Sequence, residues 1–142
     1  MTKPFVTIHL PGQPRGKGRP RFGRAGEFVR VWTDKKTKSY EGDLAKAGAA
    51  AMVGIPMRHR AVSVRIDAAM AIPASWSKKK RQAALAGDLM PTGTPDFDNL
   101  AKCCGDALNK IVWADDSQII NASFRKFYAE EPGLTVTAWD WE

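Results

Sequence analysis

Between Phe5 and Leu10 the residues Val6, Ile8 and Leu10 alternate with Phe5, Thr7 and His9. A two-residue apolar period sets one side of the chain against a core and predicts a strand. Pro11 to Gly26 has no such period. Rich in Gly, Pro and Arg, it reads as a loop or a ribbon folded back on itself, and Phe28 to Trp32 follows as a second short strand. The period then lengthens: Thr33 or Asp34 can cap a helix running to about Val53, with Tyr40, Leu44, Ala47 and Ala51 on its inner face. The clearest strand is Ala61 to Ile72, where Val62, Val64, Ile66, Ala68, Met70 and Ile72 share one side before Pro73 ends the run. Ser75 or Ser77 caps a short helix through Ala86, ahead of Gly87. After a Pro91 to Pro95 loop, Leu100, Cys103, Ala107 and Leu108 recur at helical spacing, so a helix covers Asn99 to Lys110 and begins near Asp98. Ile119 to Tyr128 and Leu134 to Trp141 read as strands joined in a hairpin across Glu130-Glu131-Pro132-Gly133. The expected class is α/β of the α+β kind: a mixed, largely antiparallel sheet packed with helices in one compact domain, 1–142.

Composition narrows the partners. A chain of 142 residues that is 44% hydrophobic, with five Trp, can bury a core without disulfides and is not disordered. Its two cysteines, Cys103 and Cys104, are adjacent, a spacing that strains a disulfide ring, and with only His9 and His59 elsewhere no zinc site of the usual spacing exists. They read as small apolar residues on a buried helix face. No apolar signal core or membrane-length run occurs, so the expected setting is a reducing cytoplasm with no membrane partner.

Charge is unevenly placed within a net +7. Residues 1–40 hold ten Lys or Arg against only Glu27 and Asp34, whereas 95–120 hold Asp96, Asp98, Asp106, Asp115 and Asp116 against Lys102 and Lys110. The loop cations Arg15, Lys17, Arg19, Arg21 and Arg24, interleaved with Gly, Pro and Phe22, suit backbone phosphates without base readout. Lys78 to Arg81 is as well explained by a solvated helix start, and Trp139 and Trp141, on one strand face, by core or interface packing. Asp96 and Asp98 are two apart, so an extended chain after Pro95 points both carboxylates the same way. Lys102 lies one turn past Asp98 on the same helix face. Taken singly, Asp98 could be a helix cap and Asp115-Asp116-Ser117 an ordinary turn. Together, with Asn99 beside them, they suit a hard cation such as Mg²⁺, which takes oxygen ligands. An acidic metal site in a basic protein points to phosphate chemistry, a metal-dependent nuclease. A noncatalytic basic DNA-binding module is disfavoured, because clustered carboxylates repel phosphate unless a cation intervenes.

The runs Pro95-Asp96-Phe97-Asp98-Asn99-Leu100-Ala101-Lys102, Asp106-Ala107-Leu108-Asn109 and Asp115-Asp116-Ser117-Gln118-Ile119 resemble the signature of the RusA family of Holliday junction resolvases. Gly16-Lys17-Gly18-Arg19-Pro20-Arg21-Phe22 is similar to that family's basic loop, and Ser75 to Arg81 to a further family segment. The resemblance implies catalytic carboxylates at Asp96, Asp98 and Asp116, an essential lysine at Lys102 and a supporting acid at Asp115. It also implies a Mg²⁺-dependent homodimer, with Mn²⁺ as a substitute, that nicks four-way DNA junctions symmetrically in recombination and repair. A less selective Mg²⁺ nuclease of flaps, forks or duplex would use the same site.

Overall fold

The computed structural model of the chain describes residues 3–16, 21–25, 28–32 and 35–142. Element order is β1 (Val6–Pro11), β2 (Arg21–Ala25), β3 (Phe28–Trp32), α1 (Lys35–Ala51), β4 (Val62–Ala71), α2 (Lys78–Leu85), α3 (Phe97–Leu108), β5 (Ile119–Ala129) and β6 (Gly133–Asp140), with a short 3-10 turn at Asp116–Gln118. Four strands form a mixed sheet in the order β1-β6-β4-β5, and β2 pairs with β3 in a separate antiparallel ribbon. The folded-back ribbon thus takes up the second half of the basic segment. Thr33 and Asp34, the expected caps of α1, lie outside the described residues.

The apolar periods land where the sequence places them. Val62, Val64, Ile66, Ala68 and Met70 of β4 are buried, and they join Tyr40 and Leu44 of α1 and Leu100, Cys103 and Leu108 of α3 in one core. Ser77 caps α2, its side chain accepting from the Lys80 amide. Cys103 and Cys104 are buried, and desolvation, with Cys103 adding to it, pushes the Cys104 thiol up. Such a thiol stays protonated and behaves as a small apolar residue. Among the described residues no helix is long and apolar enough to cross a membrane.

The hairpin expected between β5 and β6 does not form. β6 enters the sheet between β1 and β4, antiparallel to both, and β5 lies on the far side of β4, parallel to it. Burial gives the reason. Leu134, Val136 and Ala138 are essentially inaccessible, as a central strand requires, whereas β5 opens with the exposed Ile120, Asn121, Ala122 and Ser123 and suits an edge. A short link, 130–132, steps past the end of β4 to reach the inner position. Arg58, from the segment before β4, grips Asp140 of β6 through Nε at 2.8 Å and Nη2 at 3.1 Å. That contact holds the Asp140 carboxyl below its ordinary range.

Candidate active site on helix α3

The acidic residues gather around α3. Asp96 is its N-cap, in an extended conformation and without a side-chain capping hydrogen bond, while Asp98 is already inside the first turn. The helix therefore begins one residue earlier than its spacing suggests, and Phe97 is not extended. The two carboxylates share the N-terminal turn of a helix rather than one side of a strand, where the positive end of the helix dipole favours them. Phe97 is exposed, with its ring edge-on to Phe124 of β5 at 5.4 Å between centroids, which fixes α3 against the sheet edge. The peptide before Pro95 is cis, and Lys126 of β5 donates through Nζ to the carbonyls of Gly93 and Pro95, the latter at 3.0 Å.

Asp98, Lys102 and Gly105 follow one another at i, i+4 and i+7, one face of the helix. Onto that face comes Asp116. A Cβ added at Gly105 would stand 2.8 Å from Asp116 Oδ2, so the missing side chain is what lets this carboxylate rest against the helix backbone. Asp116 thus meets α3 about 10 Å along the axis from Asp98, at 1.5 Å per residue, with Lys102 between them. The turn that delivers it is rigidly tied. Asp115 accepts from the Ser117 amide at 3.1 Å, and its own amide donates to Gln118 Oε1 at 2.9 Å, a reciprocal capping box. Hydrogen bonds from Ser117 hold Asp115 below the usual carboxylate range. Gln118 Nε2 donates onward to the carbonyls of Arg58 and Arg60, at 3.0 and 2.8 Å. Asp115 therefore takes the capping role open to it as a turn residue, and Asp116 is the acid presented to α3.

The basic loop reaches the same helix from the other side. Gln13 accepts from the Ala71 amide at 2.7 Å, and Gly16 sits so close to α3 that a Cβ there would meet Asn99 Cβ at 2.9 Å and Pro95 Cβ at 3.0 Å. A cleft of about 410 Å³ opens between Pro14, Arg15, Gly16, Thr94, Asp96 and Asn99. Arg15 and Asp96 thus line one cavity, and Asn99 seats the loop against the helix. Lys17 and Arg19 lie outside the described residues, and for Arg21 and Arg24 only the backbone is described, in β2.

Hard oxygen donors of this kind suit a divalent cation. Their spacing is wider than one ion spans: among the described residues no three His, Cys, Asp or Glu side chains meet closely enough to hold a metal. The structure brings Asp96 and Asp98 to one helix end and sets Asp116 two turns away. Gln118 and Gly16 stand inside the runs that carry the family resemblance, but their roles on the turn and at the close approach are not written in the pattern. Lys126 on the loop carbonyls and Gly105 under Asp116 are missed, and a glycine inside an apolar-periodic helix is the signal that marks the second.

Gly105→Ala tests the approach. The alanine should leave thermal stability within about 1 kcal/mol, since its better helix propensity offsets a shifted carboxylate. It should also displace Asp116 and lower the rate of DNA cleavage. A variant that cuts at the full wild-type rate, while Asp116→Asn is inactive, would make the seat on Gly105 incidental.

The sequence model described as endodeoxyribonuclease RusA matches residues 11–138. YqaN of Bacillus subtilis (strain 168), described as an uncharacterized protein, is 33% identical over 140 residues, covering 92% of this chain and 93% of its own length. A match that runs from the basic loop through β6, and takes in both acidic segments and the lysine, places this chain in the RusA endodeoxyribonuclease family.

Proposed function

We propose that the protein is an endonuclease that resolves four-way DNA junctions by paired symmetric nicks, acting as a homodimer in recombination and repair. The observation that carries the reading is the line of Asp98, Lys102 and Asp116 along one face of α3, with Asp96 at its head and Arg15 across the cleft. A strand laid along that face would set its phosphates against Lys102, with a cation between them and the carboxylates of Asp96 and Asp98 at the head of the helix. Lys102 is exposed on a flexible stem, and as a point charge it could steady developing negative charge or orient the attacking water. Arg15 and the cations beyond it would hold the backbone on either side.

The cofactor within this proposal is Mg²⁺, with Mn²⁺ as a substitute, and Asp96, Asp98 and Asp116 are its proposed ligands. When bound, such an ion polarises a phosphate oxygen and favours ionisation of water. Asp96 and Asp98 stand in the first turn of α3 and Asp116 rests against Gly105 of the same helix, and their carboxylate oxygens are the donors such an ion would take. Asp115 and Asn99 are supports in this scheme, one capping the turn and the other seating the basic loop.

The deciding experiment compares cleavage of a synthetic four-way junction with flap, fork and duplex DNA, with and without Mg²⁺. Junction cleavage that needs the metal and outpaces the other substrates supports the proposal. Equal rates on all forms would make it a less selective nuclease with the same site. No cleavage of any form would sink both.

A further inference from the structure

The sheet has a second face. Val62, Val64, Ile66, Ala68 and Met70 look toward the helices, so the alternate residues of β4 and their partners look away. Strand register gathers three charged groups there. Asp67 stands opposite Arg125 of β5 on one side and Thr135 of β6 on the other, and Arg65 lies two residues along the same strand. Asp67 is only 8% exposed. It accepts from Arg65 Nε at 2.9 Å and from Arg125 Nε at 2.8 Å.

Like charges side by side on neighbouring strands repel. Here one buried carboxylate draws two guanidinium groups together, yet 46% of the Arg65 side chain and 64% of the Arg125 side chain remain exposed. Both contacts to Asp67 engage Nε, so that carboxylate does not consume the Nη donors, the part of the fork suited to phosphate. Aromatic rings flank the pair: Trp139 lies 5.8 Å from the Arg65 guanidinium and Phe127 5.7 Å from that of Arg125. Two cations against one anion leave the triad net positive. Two largely exposed guanidinium groups around one buried carboxylate give this part of the face an excess of positive charge, which suits a polyanion.

We propose that this second sheet face binds the phosphate backbone of DNA, with Arg65 and Arg125, held side by side by Asp67, as its anion-binding centre. It lies on the opposite side of the sheet from α3, so it grips a segment of substrate other than the one presented to the acidic helix. Asp67 acts here as a positioning residue.

This inference rests on the reading of the protein as one that acts on DNA. Its test measures binding of a synthetic four-way junction across a salt series, in EDTA so that nothing is cut. Arg65→Gln/Arg125→Gln should bind more weakly, with the log–log salt slope reduced by about 1.8, at roughly 0.9 for each phosphate no longer neutralised. Asp67→Asn adds a net positive charge, so bulk attraction would tighten binding, whereas loss of the shared anchor should weaken it. Tighter binding by Asp67→Asn overturns the built site. So does wild-type affinity and slope in the double arginine variant, with the fold checked by circular dichroism. If Asp67→Asn does not fold, the arginine variant decides alone, because both side chains are largely exposed. A loss of affinity that light scattering traces to subunit dissociation also overturns it, making the face a contact between copies. Wild-type protein that neither binds nor cuts DNA would sink the proposed function itself. Wild-type protein that does both, with unaffected variants, sinks only this inference.

Discussion

Asp98→Asn should abolish cleavage of a four-way junction while the junction still binds, as tightly as before or more so, and Asp96→Asn and Asp116→Asn should do the same. The substitution keeps shape and removes one negative charge from a helix face proposed to lie along DNA. Repulsion of phosphate falls, so affinity holds or rises. Turnover falls because neither a cation nor an activated water keeps its ligand, and the loss of one such preorganised group is on the order of 10²-fold or more. The contrast with Lys102→Ala is informative: one phosphate contact among many adds little affinity, so that variant should lose rate and keep most of its binding. Gel-shift affinity and single-turnover rate, measured on the same preparations, separate the two effects. Wild-type-like turnover in any two of the three aspartate variants would remove the site.

The largest expected effect on stability is at Trp113. This ring is fully buried in the described residues, and its Nε1 donates to Asn109 Oδ1 at 2.8 Å. The backbone around it closes a knot: the Lys110 amide donates to the Trp113 carbonyl, the Arg58 amide to Val112, and the Ala114 amide to Arg58. Trp113→Ala empties the centre of that knot and leaves Asn109 without its donor, which should cost about 3–5 kcal/mol. Against a total of roughly 5–15 kcal/mol for a domain, that is a large share. The damage also spreads to the site, because Asp115 and Asp116 follow directly. Urea denaturation of Trp113→Ala and Trp113→Phe should show a much smaller loss for phenylalanine, which keeps most of the volume. A loss under about 1 kcal/mol for alanine would mean the knot holds without its ring.

Local elements were legible because their periods were clean. β4 alternates apolar with polar residues from Val62 to Ala68, and α3 places Leu100, Cys103, Ala107 and Leu108 on one stripe. Sheet order was not legible. A short link ending in Pro132-Gly133 looks the same whether the next strand pairs with the last or passes over a neighbour, because turn chemistry fixes direction and not adjacency. The contrast between apolar Leu134, Val136 and Ala138 and polar Asn121, Ser123 and Arg125 was the available hint. Likewise the acids around α3 could be named from sequence, since carboxylates clustered in a basic chain stand out. Their separation could not. It depends on which helical turn Asp116 meets, and that is set by the capping box at Asp115 and by Gly105, seven residues along α3 from Asp98.

The position of β6 sets a schedule for synthesis. β1 pairs within the main sheet only with β6, Val6 opposite Ala138 and Pro11 opposite Gly133. A ribosome delivers the first strand more than a hundred residues before its partner. Until residues 133–138 emerge, β1 has no neighbour and β4 has a bare edge where β6 will insert, so the nascent chain carries two open edges. Closure of the sheet therefore waits for β6, and until residues 133–138 clear the tunnel both edges are open to proteases and to pairing with other strands.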